Sequence, residues 1–205
     1  TTLKVIDGSG IVDVAGTGLT VDGNPSVAAA GGVTMTGTDA GLDNLLGGAG
    51  GDTISGGGVA DSLSGAGGAD TIHGGSGNDF LGGQNVSAGE TASQHQSRAN
   101  DTDKTDNDTL YGDAGDDVLV GSYGDDTLDG GTGVDTIYTG GGSDTIVLRT
   151  GDGGSTLAGA DTITDFTDGT DVLGMDDGLQ YTDLTIAQGT GDNANDTIIS
   201  AGSEY

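Results

Sequence analysis

The amino-acid sequence predicts an all-β fold: a parallel β-roll (β-solenoid) of nonapeptide repeats with non-repetitive β caps. Three observations predict it. Aspartate recurs every nine residues at Asp43, Asp52, Asp61, Asp70 and Asp79, and the spacing resumes at Asp108, Asp117, Asp126, Asp135 and Asp144. Two residues after each stands an aliphatic: Leu45, Ile54, Leu63, Ile72 and Leu81, then Leu110, Leu119, Leu128, Ile137 and Ile146. Before the aspartates lie glycine-rich hexads, clearest in Gly74-Gly75-Ser76-Gly77-Asn78-Asp79 and Gly130-Gly131-Thr132-Gly133-Val134-Asp135.

Each element follows from these residues. A triplet such as Thr53-Ile54-Ser55 is long enough only for a very short strand, with Ile54 on one face and its neighbours on the other. The six residues before it reverse the chain, and glycine accepts the positive φ and close backbone approach that a tight reversal needs. Two strand-and-turn units make one flattened coil of 18 residues. Stacked coils pair their strands in parallel and bury a ladder of Leu and Ile that no single repeat can bury. The sequence divides into an N-terminal β segment or cap (1–37), the roll (38–147) with an inserted loop at 83–106, and a C-terminal capping segment (148–205).

Composition bounds the function. Of 205 residues 45 are Gly, 33 acidic residues face four basic ones, and the formal charge is −29. Leu, Ile, Val and Phe together number 40, just under a fifth, which by composition alone describes a disordered chain. An ordinary oily core is excluded. So is a nucleic-acid surface, because Lys4, Arg98, Lys104 and Arg149 are scattered. There is no Cys for disulfides or thiolate metal sites, no apolar run of transmembrane length, and no basic start with an apolar stretch in Thr1 to Gly10. The abrupt ends suggest a piece of something longer.

Stacking brings Asp side chains 18 residues apart in sequence together between coils, where unanswered carboxylates repel. Ca²⁺, a hard cation taking six to eight oxygens, suits Asp carboxylates and the carbonyls of glycine-rich turns. The repeat resembles the RTX (repeats in toxin) nonapeptide, over roughly Thr38 to Val147. The resemblance implies a right-handed roll with calcium sites between repeat n and repeat n+2. It pairs Asp43 with Asp61, Asp52 with Asp70, Asp61 with Asp79, Asp108 with Asp126, Asp117 with Asp135 and Asp126 with Asp144. From Asp79 to Asp108 the spacing is 29, so one enlarged turn keeps the left-right alternation and lets Asp70 face Asp108 and Asp79 face Asp117. That gives up to about eight Ca²⁺, four on each edge. Val59, Ala66 and the turn Asp103 to Asn107 depart from the glycine pattern.

At the ends, Leu3–Ile6, Ile11–Val14, Leu19–Val21 and Val33–Met35 read as strands, as does Asp196–Ser200. Phe166, Leu173, Leu179, Tyr181, Leu184, Ile186, Ile198 and Ile199 are expected to cover the open end of the core, and Asp161, Asp165, Asp168 and Asp171 are candidates for one more ion or for turn roles.

No enzyme is expected. The chain has two His and neither a His-Glu-x-x-His nor a Gly-x-Ser-x-Gly motif, and His73 and His95 read as surface residues. Ice binding, known in RTX proteins, calls for a regular row of Thr and Asn along the turns, and the third repeat position carries none. The only Pro follows Asn24, so there is no Asp-Pro bond for self-cleavage. The resemblance implies export by a type I secretion apparatus and folding outside the cell as calcium rises, in a surface adhesin or S-layer-like protein, with no membrane insertion. The second reading is a polysaccharide-binding or secretion appendage of an extracellular protease, lipase or epimerase, using Tyr111, Tyr123, Tyr138 and the loop.

Overall fold

The computed structural model describes residues 19–20, 32–39, 41–84, 106–153, 156–191 and 194–201. The runs at 3–6 and 11–14, and nearly all of the loop at 83–106, lie outside the described residues.

Successive strands alternate between two parallel sheets. The first runs, in spatial order, β1 (Leu19–Thr20), β2 (Thr34–Thr36), β4 (Thr53–Gly58), β6 (Thr71–Ser76), β8 (Thr109–Ala114), β10 (Thr127–Asp129), β12 (Thr145–Leu148) and β14 (Val172–Met175). The second runs β3 (Asn44–Leu46), β5 (Ser62–Ser64), β7 (Phe80–Gly82), β9 (Val118–Tyr123), β11 (Thr136–Gly141) and β13 (Thr162–Ile163). The protein is a parallel β-roll.

Register follows the repeat: Ile54 pairs with Ile72 and Leu45 with Leu63, so one aliphatic per strand enters the space between the sheets. Met35, Ile54, Ile72, Leu110, Leu128 and Ile146 from one sheet and Leu45, Leu63, Leu81, Leu119 and Ile137 from the other are buried, with Ile163 and Leu173 packed on the end. Outward on the first sheet, Thr34, Thr53, Thr71, Thr109, Thr127 and Thr145 stand in register, a β-branched rank suited to a half-exposed pleated face.

The insertion leaves the roll undisturbed. Ile72 pairs with Leu110 and Leu81 with Leu119, across 38 residues rather than 18. Its entry is pinned where the Ser64 hydroxyl donates to the Gln84 carbonyl at 2.7 Å.

At both ends the sheets extend past 38–147. β1 and β2 continue the first sheet upstream, and β13 and β14 add one strand to each sheet downstream. Beyond β14 the expectation of an apolar lid fails for most of its residues. Leu173 packs on the core, but Phe166 is 40%, Tyr181 68%, Ile186 50% and Ile199 37% exposed. For Ile186 and Ile199 the cause is pairing: β15 (Leu184–Gln188) and β16 (Thr197–Ala201) form their own antiparallel hairpin, Ile186 opposite Ile199, and join neither sheet.

Candidate metal centre

The turns that carry the aspartates share one backbone form. Four and two residues before the Asp, φ is positive: Gly57 and Val59 precede Asp61, Ala66 and Gly68 precede Asp70, and Gly75 and Gly77 precede Asp79. Asp113 and Gly115, Ser122 and Gly124, Gly131 and Gly133, and Gly140 and Gly142 do the same before Asp117, Asp126, Asp135 and Asp144. Val59 (φ 69°) and Ala66 (φ 83°), which break the glycine pattern, keep the shape and carry its strain.

All ten sequence-predicted aspartates are buried, at 4% exposure or less. They stand in two columns, in which the backbone N–H of one Asp donates to Oδ1 of the Asp one coil on. One column joins Asp43 to Asp61 (2.8 Å), Asp61 to Asp79 (2.7 Å), Asp79 to Asp117 (2.7 Å) and Asp117 to Asp135 (2.8 Å). The other joins Asp52 to Asp70 (2.7 Å), Asp70 to Asp108 (2.8 Å), Asp108 to Asp126 (2.8 Å) and Asp126 to Asp144 (2.9 Å). Every pair expected from the sequence is formed, including both that span the insertion.

The second carboxylate oxygen carries the chemistry. Oδ2 of Asp61, Asp70, Asp79, Asp108, Asp117, Asp126, Asp135 and Asp144 is buried without a hydrogen-bond partner. A buried acceptor left unmatched is costly, and a charged one more so. All of these oxygens but that of Asp144, whose turn begins with Thr139, border the first glycine of their turn, as Oδ2 of Asp43 and Asp52 border Gly37 and Gly47. A Cβ on Gly74 would lie 2.5 Å from Asp79 Oδ2 and 2.6 Å from the Gly112 carbonyl oxygen of the next coil. A Cβ on Gly121 would lie 2.6 Å from Asp126 Oδ2 and 2.5 Å from the Thr139 carbonyl oxygen. Glycine thus leaves open a cradle between a carboxylate and a carbonyl. Hard oxygen donors of this mix fit Ca²⁺. Among the described residues no three His, Cys, Asp or Glu side chains gather in a metal-holding group, so carbonyls must supply much of any coordination shell.

Burial, and then the neighbouring carboxylates, raise these acids when no cation answers them. Asp70 and Asp126 are pushed up to about 8, Asp108 and Asp117 to about 7, and Asp79 and Asp144 to about 6. Asp61 and Asp135 are raised for the same reason, against the lowering effect of the N–H each accepts.

Two members of the columns escape the nine-residue count. Asp161 Oδ1 accepts from Asp135 N–H at 3.0 Å, and Asp171 Oδ1 accepts from Asp144 N–H at 3.1 Å. Asp161 and Asp171 therefore belong to different columns rather than to one shared site, while Asp165 accepts the Thr139 and Gly140 N–H groups at 2.8 and 3.1 Å and Asp168 is exposed. The signal for both was Asp-x-aliphatic, in Asp161-Thr162-Ile163 and Asp171-Val172-Leu173. A second ladder also went unread, in which Asn78 accepts from Asp116 N–H, Asp116 from Val134 N–H, and Asn107 from Asp125 N–H.

The tyrosines of the polysaccharide reading do not share a face. Tyr111 lies on β8 of the first sheet, Tyr123 and Tyr138 on β9 and β11 of the second. Tyr111 stacks on His73 at 4.5 Å, and His73 Nδ1 lies 3.2 Å from Asp113 Oδ2. No helix among the described residues is long and apolar enough to cross a membrane.

Comparison with known families agrees with this geometry. The RTX calcium-binding nonapeptide repeat matches in four copies, at residues 38–58, 46–81, 103–122 and 120–154. No curated protein and no solved structure matches the chain. Ten in-phase aspartates, two carboxylate columns with open glycine cradles and four copies of the repeat profile agree, and across residues 38–154 the chain belongs to the RTX calcium-binding nonapeptide-repeat family.

Proposed function

We propose that this calcium-binding β-roll is a folding switch: self-repelling and unfolded where Ca²⁺ is scarce, folded outside the cell where Ca²⁺ is plentiful. In this reading it is a non-catalytic module of a type I secreted surface protein, an adhesin or S-layer-like protein. The observation that carries the reading is the set of eight buried carboxylate oxygens with no partner in the protein. A chain with one large aliphatic per nine residues has little apolar burial with which to offset their desolvation. A ligand that binds only the folded state adds its binding free energy to folding. An unfolded chain is also what a narrow export channel requires, and the formal charge of −29 keeps such a chain expanded before calcium arrives.

The test is far-ultraviolet circular dichroism with hydrodynamic radius, followed as Ca²⁺ is added to chelator-treated protein, with Mg²⁺ as control. Mg²⁺ demands a rigid octahedron and keeps its waters, so it does not substitute. A cooperative gain of β signal with contraction, for Ca²⁺ alone, is expected. A chain already compact in chelator and indifferent to Ca²⁺ refutes the switch.

A further inference from the structure

The aspartates of the columns are not equivalent. Eight have an unmatched Oδ2, but Asp52 does not: its Oδ1 accepts from Val33 N–H at 2.7 Å and its Oδ2 from Gly48 N–H at 2.7 Å. Asp43 Oδ2 accepts from Thr38 N–H at 2.7 Å, while its own N–H reaches Asp61. Asp171, at the far end of the Asp52 column, repeats the Asp52 arrangement. Its Oδ1 accepts from Asp144 N–H and its Oδ2 from Thr167 N–H at 2.8 Å, four residues back, as Gly48 is four residues back from Asp52.

The backbone explains the difference. In the seven turns described in full before Asp61, Asp70, Asp79, Asp117, Asp126, Asp135 and Asp144, the residue four back has positive φ. Its N–H is then turned to the neighbouring coil, as when Ala66 N–H donates to the Gly83 carbonyl at 3.0 Å. Gly48, Asp39 and Thr167 are not among the positive-φ residues, and at Asp52 and Asp171 the N–H four back turns inward to the carboxylate. Backbone conformation thus accounts for the hydrogen bonding that sets Asp52 and Asp171 apart from the seven interior turns described in full. Upstream of Asp52 the column has no carboxylate to continue it, because Val33 stands at that place and supplies only its N–H.

We infer that Asp43, Asp52 and Asp171 are end caps satisfied by the protein itself, and that among the ten aspartates of the nine-residue spacing calcium is confined to the eight from Asp61 to Asp144. This rests on the calcium reading above and corrects its extent, since the sequence marks Asp43 and Asp52 as ligands like the rest. The chemistry is a competition: at an interior turn Ca²⁺ meets an oxygen with no partner, whereas at an end cap it would first have to displace an N–H already bonded to that oxygen.

The test counts calcium bound per chain after equilibrium dialysis. The chain carrying both Asp43→Asn and Asp52→Asn is expected to bind as many ions as the unaltered protein, while Asp70→Asn and Asp126→Asn each bind fewer. Loss of ions from Asp43→Asn/Asp52→Asn equal to that from Asp70→Asn overturns the inference. A calcium anomalous-difference map from crystals of the unaltered chain makes the answer independent of how the variants fold. Peaks beside Asp61 to Asp144 with none beside Asp43, Asp52 or Asp171 support it, and a peak at Asp52 overturns it while leaving the folding switch standing. If the unaltered chain binds no calcium, the proposed function falls and the inference falls with it.

Discussion

Without calcium the fold should prefer acid. An unfolded aspartate titrates near 4, whereas burial raises Asp70 and Asp126 in the folded, cation-free protein to about 8, Asp108 and Asp117 to about 7, and Asp79 and Asp144 to about 6. Between those values the folded chain holds more protons than the unfolded one, so stability falls as pH rises through the window from about 4 to about 8. For Asp70 the difference is about four units, on the order of 5 kcal/mol. That single penalty is comparable to the whole stability of a small domain, about 5–15 kcal/mol. The columns titrate as coupled sets, so the penalties do not simply add. Chelator-treated protein is therefore expected to show β signal and a small radius near about pH 5 and to lose both by about pH 8, with calcium restoring them at the higher pH. Calcium binding near neutrality should also release protons, which isothermal titration in buffers of different ionisation heat would detect. A calcium-free chain as structured near pH 8 as near pH 5 would refute the argument, because the carboxylates would then be charged in the fold at no cost.

Three further outcomes are expected. Gly74→Ala places a methyl between Asp79 Oδ2 and the Gly112 carbonyl, so it should lower the calcium count and cost about 1–3 kcal/mol in the loaded protein, whereas Gly41→Ala, which meets nothing within 4 Å, should leave the count unchanged. Val59→Gly relieves a β-branched residue at φ 69° and should raise the calcium-loaded melting temperature by the equivalent of about 1 kcal/mol. Arg149 pairs with buried Asp129 and, at 3.3 Å, with Asp176, so Arg149→Met should cost roughly 3 kcal/mol in denaturant unfolding and be partly recovered by adding Asp129→Asn.

The roll was legible because its period was. Wherever nine residues separate successive aspartates, strand register, inward aliphatic and column partner all follow, and they survive the insertion because it falls in a turn. Legibility stopped where turn length changes. Asp161 lies 17 residues after Asp144 and Asp171 lies 10 after Asp161, yet both are in register because the altered lengths fall in the intervening turns. Column membership is set by strand pairing, not by counting. Apolar character in the tail misled for a related reason: Ile186 and Ile199 are placed by their own hairpin, and periodicity says nothing about which sheet a short strand joins. Nor did the sequence distinguish Asp52 from Asp70. Both follow a glycine-containing turn, and the difference lies in the φ of one residue four places back, which glycine at 48 leaves free and which the neighbouring coil decides.

The two things that make this sequence look disordered, little apolar surface and much negative charge, act on the fold through the same residues. Each coil orders 18 residues around two inward aliphatics, and the carboxylates that fix its register to the next coil are the ones left with an unmatched buried oxygen. Replacing those carboxylates by apolar groups would remove the penalty, but it would also remove the Oδ1 acceptors that tie coil to coil along both edges. On the proposed function, the arrangement becomes stable when something outside the chain completes it. The glycine cradle lies between a carboxylate of one coil and a carbonyl of the next, so a cation held there would offset the charge of one coil and fix the position of the other in a single step. Coils that contact only their neighbours propagate such a step along the stack. A gain of structure that is cooperative in calcium follows from that geometry, and it stops where Asp52 and Asp171 are already satisfied by backbone N–H groups.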